Sequence, residues 1–186
     1  LKALFNIEIA TAILAWFVVS VSAISLMITA QRFPVSDIVF AALSLVTFIV
    51  CFVLAVGEIE WRYNIPVRTG LMALQFVSVM TAAWLLPYSF IAILITIWSA
   101  QLPYFVSFRA AILTSPLWSA PLWLIFGIHW EMSSPLISAL LYWTFNLFAL
   151  VMVNATIKEQ KAREATNELN RELIATQALL GQASKQ

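Results

Sequence analysis

The chain is poor in the groups from which most sites are built: among 186 residues there are one histidine, one cysteine, four glycines and only 10% charged residues. A single histidine excludes a bis-histidine haem or a multi-histidine zinc centre within one chain. A single cysteine, Cys51, excludes an internal disulfide framework and a thiolate metal site, and its place in an apolar run makes it a small packing or lipid-facing residue. Gly70, Gly127 and Gly181 are too far apart to form a phosphate-cradling loop. The net charge is only +1 with the basic residues scattered, so no nucleic-acid partner is expected. No Asp, Glu, Lys or Arg falls near the middle of an apolar run; Glu8 lies at the edge of one, where it can snorkel. That absence argues against proton pumps and ion-coupled transporters, which need ionisable groups at membrane depth.

Apolar residues fill the vacated space. They make up 62% of the chain, and the mean hydropathy is +0.93. Soluble domains hold about 45–50% apolar residues, so a bilayer is the natural solvent. A helical span takes about 20 predominantly apolar residues, because lipid offers an open backbone no partners. By that ruler the first span covers residues 7–30 and stops at Gln31, Arg32 and Pro34; it is too long for a cleaved signal peptide. The second, residues 38–56, is closed by the charged and aromatic cluster of Gly57, Glu58, Glu60, Trp61 and Arg62. The third, 70–86, is separated from a fourth reaching Val106 by only Pro87 and Tyr88, a tight hairpin. The fifth, 110–128, contains Pro116 and Pro121 and is expected to kink. The sixth runs from Pro135 to about Val153. The expected fold is an all-α membrane protein of six transmembrane helices, with residues 1–154 as a membrane domain.

Orientation follows from the basic residues near the span ends. A cytoplasmic N-terminus places Lys2, Arg62, Arg68, Arg109, Lys158, Lys161 and Arg163 inside and only Arg32 outside, so both termini are expected in the cytoplasm. Trp61, Tyr63, Trp84, Tyr88, Trp130 and Tyr142 fall near interfaces and read as anchors. Past Asn154 the composition turns to Lys, Glu, Gln, Ala and Asn. Residues 155–186 are expected to continue the last span as a cytoplasmic helix. Ala162, Thr166, Leu169, Leu173, Thr176, Leu180 and Ala183 alternate by four and three, the seam of a coiled coil, which predicts a homodimer. The seam is short and half of it is Ala or Thr, so it is marginal alone; Glu159 and Arg163 add a few tenths of a kcal/mol.

Three groups remain as candidate sites. His129, Glu131 and Asp37 share the expected outer side and have the donor types for a divalent metal or a proton sensor, but their spacing fits no metal motif and ordinary loop polarity is the simpler reading. Glu58, Glu60, Arg62 and Arg68 form a cytoplasmic loop that could hold one state through an ion pair with the start of the signalling helix but is simplest as a solvated one. Gln75 and Asn146 are polar groups at membrane depth, more often hydrogen-bonding glue between helices than a transport path.

The last span running into Asn154-Ala-Thr-Ile-Lys-Glu-Gln-Lys-Ala-Arg-Glu-Ala, and then Asn167-Glu-Leu-Asn-Arg-Glu-Leu-Ile-Ala-Thr-Gln-Ala-Leu-Leu, together with a nearly loopless membrane domain, resembles the sensor half of a bacterial sensor histidine kinase of the NarL/DesK-like type. The resemblance implies an inner-membrane location, a phosphotransfer helix and an ATP- and magnesium-dependent kinase domain beyond this segment, and a response regulator as partner. That family's phosphoacceptor box reads Arg-Glu-Leu-His-Asp. Here Arg171-Glu172-Leu173 is followed by Ile174-Ala175, so the triplet is not the box and no catalytic residue is assigned. The chain starts with Leu and its helix still runs near Gln186, so it is expected to be a fragment. With so few outer-loop residues, the expected stimulus lies among the membrane lipids. The rivals are a small polytopic transporter or channel component, with a path near Gln75, Gln101 and Asn146, and a membrane-embedded enzyme, for which acids, bases and metal ligands are lacking.

Overall fold

The computed structural model describes the backbone of residues 2–56, 65–131 and 133–183, and the side chains of residues 9–56, 66–131 and 133–177. Among them all regular structure is helical and no strand occurs. The principal helices are α1 (Lys2–Ala30), α2 (Val35–Val56), α3 (Ile65–Leu85), α4 (Ile93–Ser99), α5 (Phe108–Leu124) and α6 (Pro135–Ala183). The chain divides into two units, 1–150 and 151–186, with the division inside α6.

The helix boundaries lie where local chemistry puts them. α1 ends at Ala30 because Gln31 takes a left-handed backbone (φ 51°) and Pro34 follows. α5 starts behind Ser107, whose Oγ accepts a hydrogen bond from the Ala110 amide at 3.3 Å. α6 begins on Pro135, where a missing amide costs nothing.

Among the described residues, four stretches are long and apolar enough to cross a membrane: 9–30, 35–56, 108–129 and 135–177. The first three are 22 residues each, about 33 Å of helix against a hydrocarbon core of about 30 Å. α3 has the length, at 21 residues, but includes Arg68 and Gln75 and is less uniformly apolar. The segment expected as the fourth span differs most from its sequence reading. Ser89–Ala92 is a 3-10 turn, α4 has only 7 residues, and Leu102–Tyr104 is a second 3-10 turn. Even as continuous α-helix the 16 residues of Ser89–Tyr104 would reach only about 24 Å.

This short segment is the heart of unit 1: Ile91, Ala92, Leu94, Ile95 and Ser99 are fully buried. The Trp98 indole donates to the Met72 carbonyl of α3 at 2.8 Å, and its ring packs on Phe76 and Trp118. α3 lies most extensively along α2. The outer surface is inverted relative to a water-soluble protein, with Leu113 79% and Ile128 74% exposed while Gln75 and Asn146 are at 0%. Such a distribution suits a hydrocarbon solvent and would be costly in water. Cys51 is buried, which settles its role as packing rather than lipid-facing.

The kink expected in the fifth run is a wider turn. Pro116 cannot donate to the Ile112 carbonyl, and the Ser115 hydroxyl supplies that bond at 2.8 Å. After Pro121 the helix widens into a π-turn, Ile125–His129, in which the Trp130 amide reaches back to the Ile125 carbonyl.

Candidate functional site

Two sets of side chains emerge, one inside the bundle and one on α6. The inner set starts from Asn146, whose amide cannot be left unpaired at membrane depth. Its Oδ1 accepts from Thr96 Oγ1 at 2.7 Å, and its Nδ2 donates to Ser119 Oγ at 3.3 Å. One residue of α6 thus ties α4 to α5. Close by, Trp143 Nε1 donates to the Ser115 hydroxyl at 2.9 Å, so that one hydroxyl both serves α5's freed carbonyl and holds α6. Asn146 was legible as interhelical glue. Thr96, Ser119, Ser115 and Trp143 were not, because helix period alone does not identify which small polar residues face inward.

Gln75 on α3 and Gln101, just past α4, form the second polar contact. Gln101 Nε2 donates to Gln75 Oε1 at 3.1 Å, and the two residues are 3% and 0% exposed. The remaining atoms, Gln75 Nε2 and Gln101 Oε1, have no hydrogen-bond partner among the described residues. Nearer the start of α3, the Arg68 guanidinium lies 4.3 Å from the centroid of the Phe105 ring, a cation-π contact. Glu58, Glu60, Arg62, Trp61 and Tyr63 lie outside the described residues.

His129 lies against the end of α3. α3 ends with its last carbonyls open, and Pro87 cannot supply the amide that the Ala83 carbonyl would otherwise receive. The Trp130 indole donates to the Ala83 carbonyl at 2.9 Å, and His129 Nε2 lies 3.1 Å from the Trp84 carbonyl. The imidazole also stacks on Trp84 with centroids 3.7 Å apart. His129 and Trp130 therefore cap α3 across the bundle. Glu131 is exposed with a left-handed backbone (φ 47°), and Asp37 stands in the first turn of α2, where it accepts from the Ser36 hydroxyl at 3.3 Å. No group of three His, Cys, Asp or Glu able to hold a metal occurs among the described residues.

The outer set is the seam. α6 is one helix of 49 residues. Every described side chain from Lys161 to Gln177 is exposed, including Ala162, Thr166, Leu169 (64%), Leu173 (56%) and Thr176. The side chains of Leu180 and Ala183 lie outside the described residues. Thr166 and Thr176 turn their hydroxyls onto the carbonyls of Ala162 and Glu172, which hides their polar ends. Arg163 and Glu159 pair at 2.6 Å with both side chains largely exposed, a contribution of about 0.3–0.5 kcal/mol before salt screening.

Comparison with known protein families, with characterised proteins and with solved structures returns no match for this chain.

Proposed function

We propose that this chain is the membrane sensor and signal-transmission region of a dimeric two-component histidine kinase, relaying a membrane-derived stimulus through α6 toward a kinase located beyond residue 186. The observation that carries the reading is the continuity of α6. One unbroken helix holds Asn146, bonded into the bundle, and the wholly exposed seam from Ala162 to Thr176. In water, the exposed Leu169 and Leu173 favour a partner helix, and the four-three spacing selects a coiled-coil one.

In this reading the chain crosses the bacterial inner membrane six times with both termini cytoplasmic, α3 and the Ser89–Tyr104 segment adding to the four long spans, the latter as a short crossing whose irregular backbone is covered by protein. The switch is a two-state change in the crossing or rotation of paired α6 helices. A stimulus acts by differing in free energy between the states; a thickness mismatch of fractions of a kcal/mol per Å is enough for a nearly balanced pair. ATP, magnesium and the response regulator belong to the inferred kinase.

Spin labels at residue 169 in a Cys51→Ser background, in bilayers of graded acyl length, test the reading. Inter-label distances that shift with thickness support it. A single broad, thickness-independent distribution overturns it.

One observation favours a second reading, a small transporter or channel component. An interrupted helical segment carrying Gln101 sits at the core, and discontinuous helices are where many transporters hold substrate. It ranks second because Asn146 uses its hydrogen bonds on protein hydroxyls. Uptake by proteoliposomes that is lost on Gln75→Leu, Gln101→Leu and Asn146→Leu would reverse the order.

A further inference from the structure

The seam of the polar segment has a phase, and that phase can be followed along the sequence toward Pro135. Stepping back from Ala162 by alternate threes and fours gives Glu159, Ala155, Met152, Phe148, Phe145 and Leu141. In unit 1, Leu141, Phe145 and Phe148 are 53%, 51% and 63% exposed, whereas Asn146 and Leu150 of the same helix are fully buried. At about 100° per residue, these three side chains lie on the side of α6 turned away from the face that Asn146 and Leu150 present to the bundle.

Exposure by itself names no occupant, since lipid tails cover Leu and Phe well. The phase does. Two copies inserted with the same orientation present their α6 helices parallel, and a heptad keeps one stripe facing the partner for as long as the pairing lasts. Had the register led back to Asn146 and Leu150, pairing inside the span would have required α6 to leave its own bundle. It leads instead to three large side chains that stay half exposed or more in the protomer, Phe145 making a ring contact with Tyr142 of its own helix. The two phenylalanines bring rings that gain from tilted contact at centroid separations of about 4.5–7 Å.

We infer that a second copy of this chain covers Leu141, Phe145 and Phe148, so that the α6 helices of two protomers pair inside the span in the register of the seam at 162–176. The inference rests on the dimeric reading above and adds to it the membrane face through which the dimer forms.

The test is thiol crosslinking of the full chain in native membranes, in a Cys51→Ser background, with a short membrane-permeant bifunctional methanethiosulfonate. Single cysteines are placed at Leu141, Phe145 and Phe148, at the seam positions Leu169 and Leu173, and at Leu136 and Leu140, which are exposed on α6 but off the stripe. Leu141→Cys removes little volume and guards against a Phe148→Cys variant that fails to fold. Crosslinked dimer at Leu141, Phe145, Phe148, Leu169 and Leu173, with its loss at Leu136 and Leu140, is the expected result. Dimer at Leu169 and Leu173 only, or equally at Leu136 and Leu140, overturns this inference and leaves the dimeric seam standing. Dimer at none of these positions overturns both.

Discussion

Asn146 joins three helices with one amide, so its replacement reports on the bundle directly. Asn146→Leu should lower stability in detergent by about 0.6 kcal/mol, the average for a hydrogen bond between membrane helices, and by no more than about 1.7 per bond, read as a lower thermal midpoint. The Gln75 and Gln101 pair should behave differently, because each residue already keeps one buried amide atom without a protein partner. Removing one glutamine strands more of the other, at about 1–3 kcal/mol, whereas replacing both by Leu removes the unpaired groups together. The double variant should therefore be more stable than either single one, and an additive loss would contradict the pairing. Trp130→Phe keeps one aromatic ring but withdraws the donor from the Ala83 carbonyl, and at least about 1 kcal/mol should go with it. At this scale the sequence revealed that Gln75 and Asn146 face inward, because an amide at membrane depth has nowhere else to go. It did not reveal that His129 caps α3. The cap joins residues 45 and 47 positions apart, and the only local hint was that Pro87 would leave the Ala83 carbonyl open.

α5 shows how an element absorbs two prolines. Ser115 does for Ile112 what an amide at residue 116 would have done, so the value of its hydroxyl depends on Pro116. Ser115→Ala should destabilise the native chain, while in a Pro116→Ala background the restored amide reaches Ile112 and the same substitution should cost less. Thermal unfolding of the four proteins measures that coupling, and equal losses in both backgrounds would contradict it. The spans at 9–30, 35–56 and 108–129 and the long α6 were legible from length and apolarity, and their ends from Gln31, Pro34 and Pro135. The fourth was not. A count of apolar residues sees 89–106 as one run, yet the segment has 3-10 turns at both ends, and Pro103 in the second lacks the amide that would carry on regular helix. Its burial by neighbouring helices makes a short, irregular backbone tolerable at that depth.

For the molecule as a whole, the distribution of charge and the nature of α6 make separate claims. If the chain crosses six times with both termini inside, a cysteine at Arg32 reacts with an impermeant maleimide from the periplasmic side, and one at Arg109 only after the membrane is opened. Equal labelling at both sites would contradict the topology. Whether residues 162–177 of α6 pair as a dimeric signalling helix is read by scanning single cysteines through that stretch of the Cys51→Ser chain in native membranes and measuring disulfide formation at each. Maxima at Ala162, Thr166, Leu169, Leu173 and Thr176 with minima between them are expected. A flat or absent profile would contradict the pairing and leave α6 as a solvated tail.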